Sequence, residues 1–171
     1  MIKTEHYILN NITAEDIHHI YTGLSDPRVI KYYGVNYNSL TETREQMKWY
    51  EDLEANGTGK WWAIRNINSK EFHGAVGFNN HEKEHRKAEI GFWLLPQFWN
   101  NGIMSEVMPF ALNYAQNEMN IHRIEAYVEE GNESSESLLK RLNFKKEGTL
   151  YHSEIKNSKF INVHIYAIIL E

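Results

Sequence analysis

The stretch PQFWNNGIMSE, residues 96–106, joins the apolar run AEIGFWLL to VMPFALNYAQ and holds a single glycine, Gly102. It reads as strand, short polar loop, helix. A helix start offers unpaired backbone N–H groups at the positive end of a dipole, so the chemistry this loop suits is the binding of an anion. The alternative is a plain strand–helix connection. Just upstream, Glu89 interrupts the apolar run. A carboxylate on such a strand titrates high, which suits a general base. Its alternative is an outward-facing charge paired with Arg86 or Lys87. Further on, Asn132 and Ser135 form N-x-x-S, a good helix start with Asn132 as N-cap. His81 and His85 have metal-like spacing only on a helix, and their segment reads as a strand end or turn, so no metal site is expected there. His18 and His19 sit in an amphipathic helix without an acidic cluster.

Composition bounds the partners of this chemistry. The chain has 171 residues and no cysteine. That length favours one domain over 1–171, and the missing thiols exclude disulfides, thiolate metal sites and a cysteine nucleophile. Cysteine-free composition fits the cytoplasm. The formal net charge of −5 argues against a broad nucleic-acid surface and suits a cationic substrate such as an amine. The opening MIKTEHYILNN lacks the apolar run of a signal peptide, and no stretch approaches the length of a membrane span.

The elements that must position these residues follow from periodicity. HYILNNI reads as a short edge strand. TAEDIHHIYTGL reads as a helix, with Thr13 and Asp16 as a capping-box variant. SDPRVIKYYG reads as a turn and short helix. SLTETREQMKWYEDLEANG is a longer helix, with Met47, Tyr50 and Leu53 on one side and a stop near Asn56-Gly57. KWWAIRNI and FHGAVGFNNHE form a hairpin; of Trp61 and Trp62, one is expected in the core and the other toward a groove. AEIGFWLL is nearly continuous in its apolar residues and is expected to be buried on both faces. A helix over about 102–119 should bury Ile103, Val107, Phe110 or Ala111, and Tyr114. HRIEAYVEE is a strand alternating Ile124, Ala126 and Val128. GNESSESLLKRLNF gives a short helix with Leu138, Leu139 and Leu142 inside. Two final strands, around KKEGTLYHSEI and FINVHIYAIIL, close the chain. The order gives an α/β fold with helices covering a central sheet.

AEIGFWLLPQFWNNGIMSE, HRIEAYVEEGNESSESLLKRLNF and KKEGTL, taken in that order, resemble the GNAT acyl-CoA N-acetyltransferases, and within them the RimJ/RimL-like branch. The resemblance runs from about residue 5 to the end. It implies the GNAT fold: a mixed, mostly antiparallel central sheet with two splayed parallel strands. It implies acetyl-CoA as co-substrate, with no metal, and direct attack of a primary amine on the thioester. The backbone of Phe92, Trp93, Leu94 and Leu95 would pair with the pantetheine arm. The pyrophosphate would lie on the loop of Trp99, Asn100, Asn101, Gly102, Ile103 and Met104, and Asn132 and Ser135 would also contact CoA. Glu89 matches a strand glutamate that related enzymes use as base. Glu154, in YHSEIKNSKF, matches a proposed catalytic glutamate of the RimL type, or is an exposed hairpin charge. Ser135 matches a candidate donor to the departing thiolate, beside its capping alternative.

The loop departs from the family's (Q/R)-x-x-G-x-(G/A). Trp99 stands for Gln/Arg, Asn100 for an additional common glycine and Met104 for the last small residue. Asn tolerates left-handed backbone angles, so the loop shape is expected to persist. Met104 is expected to point a longer side chain at the site. A tyrosine that many relatives place after the N-x-x-S is Leu139 here. Glu106 favours the helix dipole and is assigned a structural role. The acceptor is a peptide or protein N-terminus or a small amine; the alternatives are a polyamine acetyltransferase and a catalytically weak CoA-binding GNAT-like protein. A homodimer is also possible from the resemblance, though no segment marks an interface.

Overall fold

The computed structural model describes residues 1–171. Its centre is one eight-stranded sheet in the order β1-β2-β3-β4-β5-β6-β8-β7. The strands are β1 (Ile2–Lys3), β2 (Tyr7–Asn11), β3 (Lys60–Asn66), β4 (Phe72–Glu82), β5 (Lys87–Leu94), β6 (Arg123–Glu129), β7 (Lys145–Lys156) and β8 (Lys159–Ile169). Five helices accompany them: α1 (Ile17–Leu24), α2 (Pro27–Ile30), α3 (Leu40–Asn56), α4 (Ile103–Asn117) and α5 (Glu133–Arg141). Every neighbouring pair of strands is antiparallel except β5 with β6.

Alternation along the strands sends side chains to two cores, one on each face of the sheet. On one face α4 and α5 cover Trp62, Ile64, Val76, Phe78, Ala88 and Ile90. On the other, Ile20 and Leu24 of α1 and Tyr50 and Leu53 of α3 pack on Trp61, Ala63, Phe72 and Trp93. Consecutive Trp61 and Trp62 therefore go to opposite faces, and helices bury both. Neither faces a groove, which corrects the expectation for that pair. Gly23 lets α1 approach β5 closely: a Cβ there would stand 2.1 Å from the Trp93 ring. The first turn of α1 is fixed by an ion pair between buried Asp16 and Arg65 of β3.

Three further expectations change. β2 is not the sheet edge, because Ile2 and Lys3 pair with Leu9 and Ile8 outside it. A two-residue strand leaves no periodicity to read. In α4 the buried stripe runs through Ile103, Val107 and Ala111 with Met104, Met108 and Ala115, while Phe110 is 42 % exposed. On β5, Ala88, Ile90 and Trp93 are buried, but Phe92 and Leu94 are only half-buried because they border a cavity. The end of α3 follows the sequence reading: Gly57 takes φ 65° and its N–H returns to the Leu53 and Glu54 carbonyls.

Candidate active site

The site begins where the two parallel strands part. β5 and β6 pair only through Lys87, Ala88 and Glu89 against Arg123, Ile124 and Glu125. Beyond Glu89, β5 stays bonded to β4 and β6 stays bonded to β8, so an opening forms between them. The N–H of Leu95 donates to the His73 carbonyl at 2.9 Å. Alternation then turns the main-chain groups of Leu94 and Phe92 away from β4 and into the opening. Leu95 itself is buried and outside the cavity lining, with its N–H already spent.

A cavity of about 550 Å³ occupies this opening. Phe92, Trp93 and Leu94 form one wall, and Trp99, Asn100, Asn101, Gly102, Ile103 and Met104 form the floor of a second. Asn132 and Ser135 line it from the first turn of α5. The fold thus gathers every residue expected to hold the cofactor except Leu95. Asn100 has φ 61° and Gly102 φ 73°, so the left-handed bends that Asn and Gly tolerate are both used. A Cβ at Gly102 would meet nothing within 4 Å. Its role is the bend rather than clearance. The first α4 bond runs from the Glu106 N–H to the Gly102 carbonyl, which leaves the N–H groups of Ile103, Met104 and Ser105 at the open helix end. Met104 falls on the inner stripe of α4 and is largely buried in the core beneath the loop, while still bordering the cavity.

Glu106 turns away from the cavity. It accepts from the Thr4 hydroxyl, the His6 N–H at 2.8 Å and the His6 ring at 2.9 Å. It ties the N-terminus to the first turn of α4. Burial pushes its carboxyl up, and the Thr4 and His6 donors outweigh that and hold it below the usual range.

Residues that sequence reasoning did not single out complete the cavity. Arg28, Lys31, Tyr32 and Tyr33 reach it from α2 and the turn after it, and Arg141 from the end of α5. Arg28 is held by Asp26 through 3.0 and 2.7 Å contacts. No aspartate or glutamate lines this cavity. The only sequence signal was the Arg-x-x-Lys-Tyr-Tyr run, and nothing in it says which element it faces.

Glu89 stands at the last position where β5 pairs with β6, on the opposite face from Ala88 and Ile90. Its carboxylate accepts from Asn80 Nδ2 at 2.9 Å, not from Arg86 or Lys87. Lys87 pairs with Glu82, and Arg86 donates to the Asn120 carbonyl. Burial pushes the Glu89 carboxyl above the usual range, the Asn80 amide draws it back, and the charges of Glu125 and Glu154 push it up again. Glu89 lines a second cavity with Glu82, Glu125, Asn80, Lys87 and Tyr127. Its charge also adds to the upward shift that burial gives Tyr33, which lines the first. Glu89 therefore lines the carboxylate-rich cavity and reaches the cation-lined one through its charge on Tyr33.

Glu154 lies on an exposed part of β7, outside both cavities, and reaches Glu89 only through its charge. The Asn132 side chain accepts from the Ser135 N–H at 3.3 Å, so it caps α5 as expected. Ser135 is half-buried at the cavity edge.

Comparisons with known proteins agree with this architecture. The acetyltransferase (GNAT) domain model matches residues 6–145. An uncharacterized N-acetyltransferase of Bacillus subtilis, YoaA, is 32 % identical over 170 residues, covering 99 % of this chain and 96 % of that protein. The chain belongs to the GNAT acetyltransferases, and acetyl-CoA is its acetyl donor. Within that family it is RimL-like. RimL, a ribosomal alpha-N-protein acetyltransferase solved in complex with coenzyme A, superposes with a TM-score of 0.86 at 25 % identity, covering 98 % and 96 % of the two chains. A spermidine N-acetyltransferase from Vibrio cholerae, in complex with CoA and spermine, shares the fold with a TM-score of 0.85 at 20 % identity over 95 % of each chain. No helix here is long and apolar enough to cross a membrane.

Proposed function

We propose that this chain transfers the acetyl group of acetyl-CoA directly to a primary amine that meets the thioester beside Glu89. The carrying observation is the electrostatic contrast at the end of the β5–β6 pairing. On one side lie open main-chain groups, the helix N–H groups of residues 103–105 and the cations Arg28, Lys31 and Arg141, an environment for a polyanion. On the other lie Glu82, Glu89 and Glu125 with one cation, Lys87, paired to Glu82, a net-negative environment for a cationic amine.

An ammonium group must lose a proton before its lone pair can attack. Glu89, held above the usual carboxylate range, is the base proposed to take it. The amine nitrogen bonds to the acetyl carbon, the carbon–sulfur bond breaks, and the thiolate leaves. The Ser135 hydroxyl at the cavity edge is the donor proposed to meet that thiolate. Glu154 acts on this scheme only by raising Glu89. RimL supports a peptide or protein N-terminus as acceptor. The three carboxylates of the second cavity favour a second reading, in which the acceptor is a polyamine.

A thermal-shift titration with acetyl-CoA, run beside Gly102→Trp, tests the binding half of this reading. Wild type should rise with ligand concentration, and the variant should lose most of that rise. A wild type indifferent to saturating acetyl-CoA would overturn it.

A further inference from the structure

Trp99 stands where the family loop has Gln or Arg, and its side chain is not idle. The indole N–H donates to the main-chain carbonyl of Leu94 at 2.9 Å. The other tryptophan beside the cavity, Trp93, is buried, whereas Trp99 is 40 % exposed at the cavity edge. Its ring therefore has room to turn outward.

The carbonyl it holds is a particular one. Leu94 C=O and Leu95 N–H belong to one planar trans peptide, so they point in opposite directions. The Leu95 N–H points to His73 on β4, so the Leu94 carbonyl points into the opening. On the acetyl-CoA reading above, on which this inference rests, that carbonyl is an acceptor for an amide N–H of the pantetheine arm. A carbonyl oxygen can accept twice, so the competition is for space: the indole that bonds this oxygen lies beside the cavity the arm must enter.

We propose that Trp99 gates the pantetheine seat: its indole holds the Leu94 carbonyl when the arm is absent and swings outward when the arm takes it. The apparent affinity for CoA is then the intrinsic affinity reduced by the fraction of molecules with the indole out. One net hydrogen bond of ordinary strength makes that reduction about threefold to tenfold. A glutamine or arginine at this position carries no ring to lay across the seat.

The test is calorimetric titration of wild type and Trp99→Phe with two ligands: CoA, and adenosine bisphosphate, which keeps adenine and phosphates but has no pantetheine. Phenylalanine keeps an aromatic wall and removes the N–H. The expected result is CoA binding about threefold to tenfold tighter in the variant, a gain that bisphosphate binding does not match. In parallel, the wild-type-minus-variant fluorescence difference should change with CoA and not with the bisphosphate. CoA affinity that is equal or weaker in Trp99→Phe overturns the gate, as does tightening that extends equally to the bisphosphate. Failure of wild type to bind CoA at all would instead bring down the acetyl-CoA reading beneath it.

Discussion

Glu89→Gln removes a proton acceptor while keeping size, and its amide oxygen can still accept from Asn80, 2.9 Å away in the wild type. The fold should therefore be unchanged and the loss confined to chemistry. A positioned base contributes about a hundredfold to ten-thousandfold, so turnover near neutral pH should fall at least about a hundredfold, with the KM for acetyl-CoA unchanged. The deficit should also depend on pH. An α-amino acceptor with a pKa of about 8 is roughly one-tenth neutral at about pH 7 and mostly neutral at about pH 9, so the route without a base gains about tenfold over that range. Wild type should lose activity as pH falls through the raised Glu89 pKa, and Asn80→Ala should move that acid limb to higher pH by removing the donor that draws Glu89 down. Release of CoA thiol is a clean assay, since the chain has no cysteine to react with the reagent. A loss below about threefold, or a large loss that stays constant across pH, would refute Glu89 as the base.

Other perturbations probe the frame that holds the site. Gly102→Ala meets open space but must adopt φ 73°, at a cost of about 1–2 kcal/mol, so the acetyl-CoA-induced thermal shift should shrink without a large fall in expression. Arg65→Met leaves buried Asp16 without its partner and should cost about 3–5 kcal/mol in urea unfolding; a change under about 1 kcal/mol would remove the pair from the account. His73 is buried with neither ring nitrogen in a full hydrogen bond, its Nε2 3.6 Å from the Glu71 carboxylate, and it stacks on Phe98 at 3.7 Å, next to the 99–104 loop. Burial lowers its pKa more than nearby Glu71 raises it. Its contribution to stability is therefore full above the ordinary histidine value of about 6.5 and is lost as pH falls below that toward the folded value. Urea midpoints should drop as pH falls below about 6.5, and His73→Phe should flatten that part of the profile.

Local pattern carried much of this protein, and its limits have physical causes. The hairpin of β3 and β4, the stop of α3 at Gly57 and the Asn132 cap of α5 are each fixed by residues within a few positions of one another. The loop at 99–104 was equally readable, because the left-handed angles of Asn100 and Gly102 are properties of those residue types. Periodicity gives the face a side chain takes, but not what covers that face. That is why Trp61 and Trp62 read as one core and one groove residue. Tyr33, Arg28 and Lys31 reach the cavity only because α2 is brought across the β5–β6 opening, a tertiary placement with no local signature. The same holds for Asn80, whose contact with Glu89 arises because β4 folds back onto β5.

The central claim is that this cleft moves acetyl groups onto amines. The most direct measurement is mass spectrometry of a panel of peptide N-termini, polyamines and small primary amines, each incubated with acetyl-CoA and the wild-type chain. At least one amine should carry an added acetyl group, with one acetyl-CoA consumed per product and both lost in Glu89→Gln. Acetyl-CoA that stabilises the protein while every amine in the panel stays unmodified would contradict it, and would make the chain a CoA-binding protein without turnover.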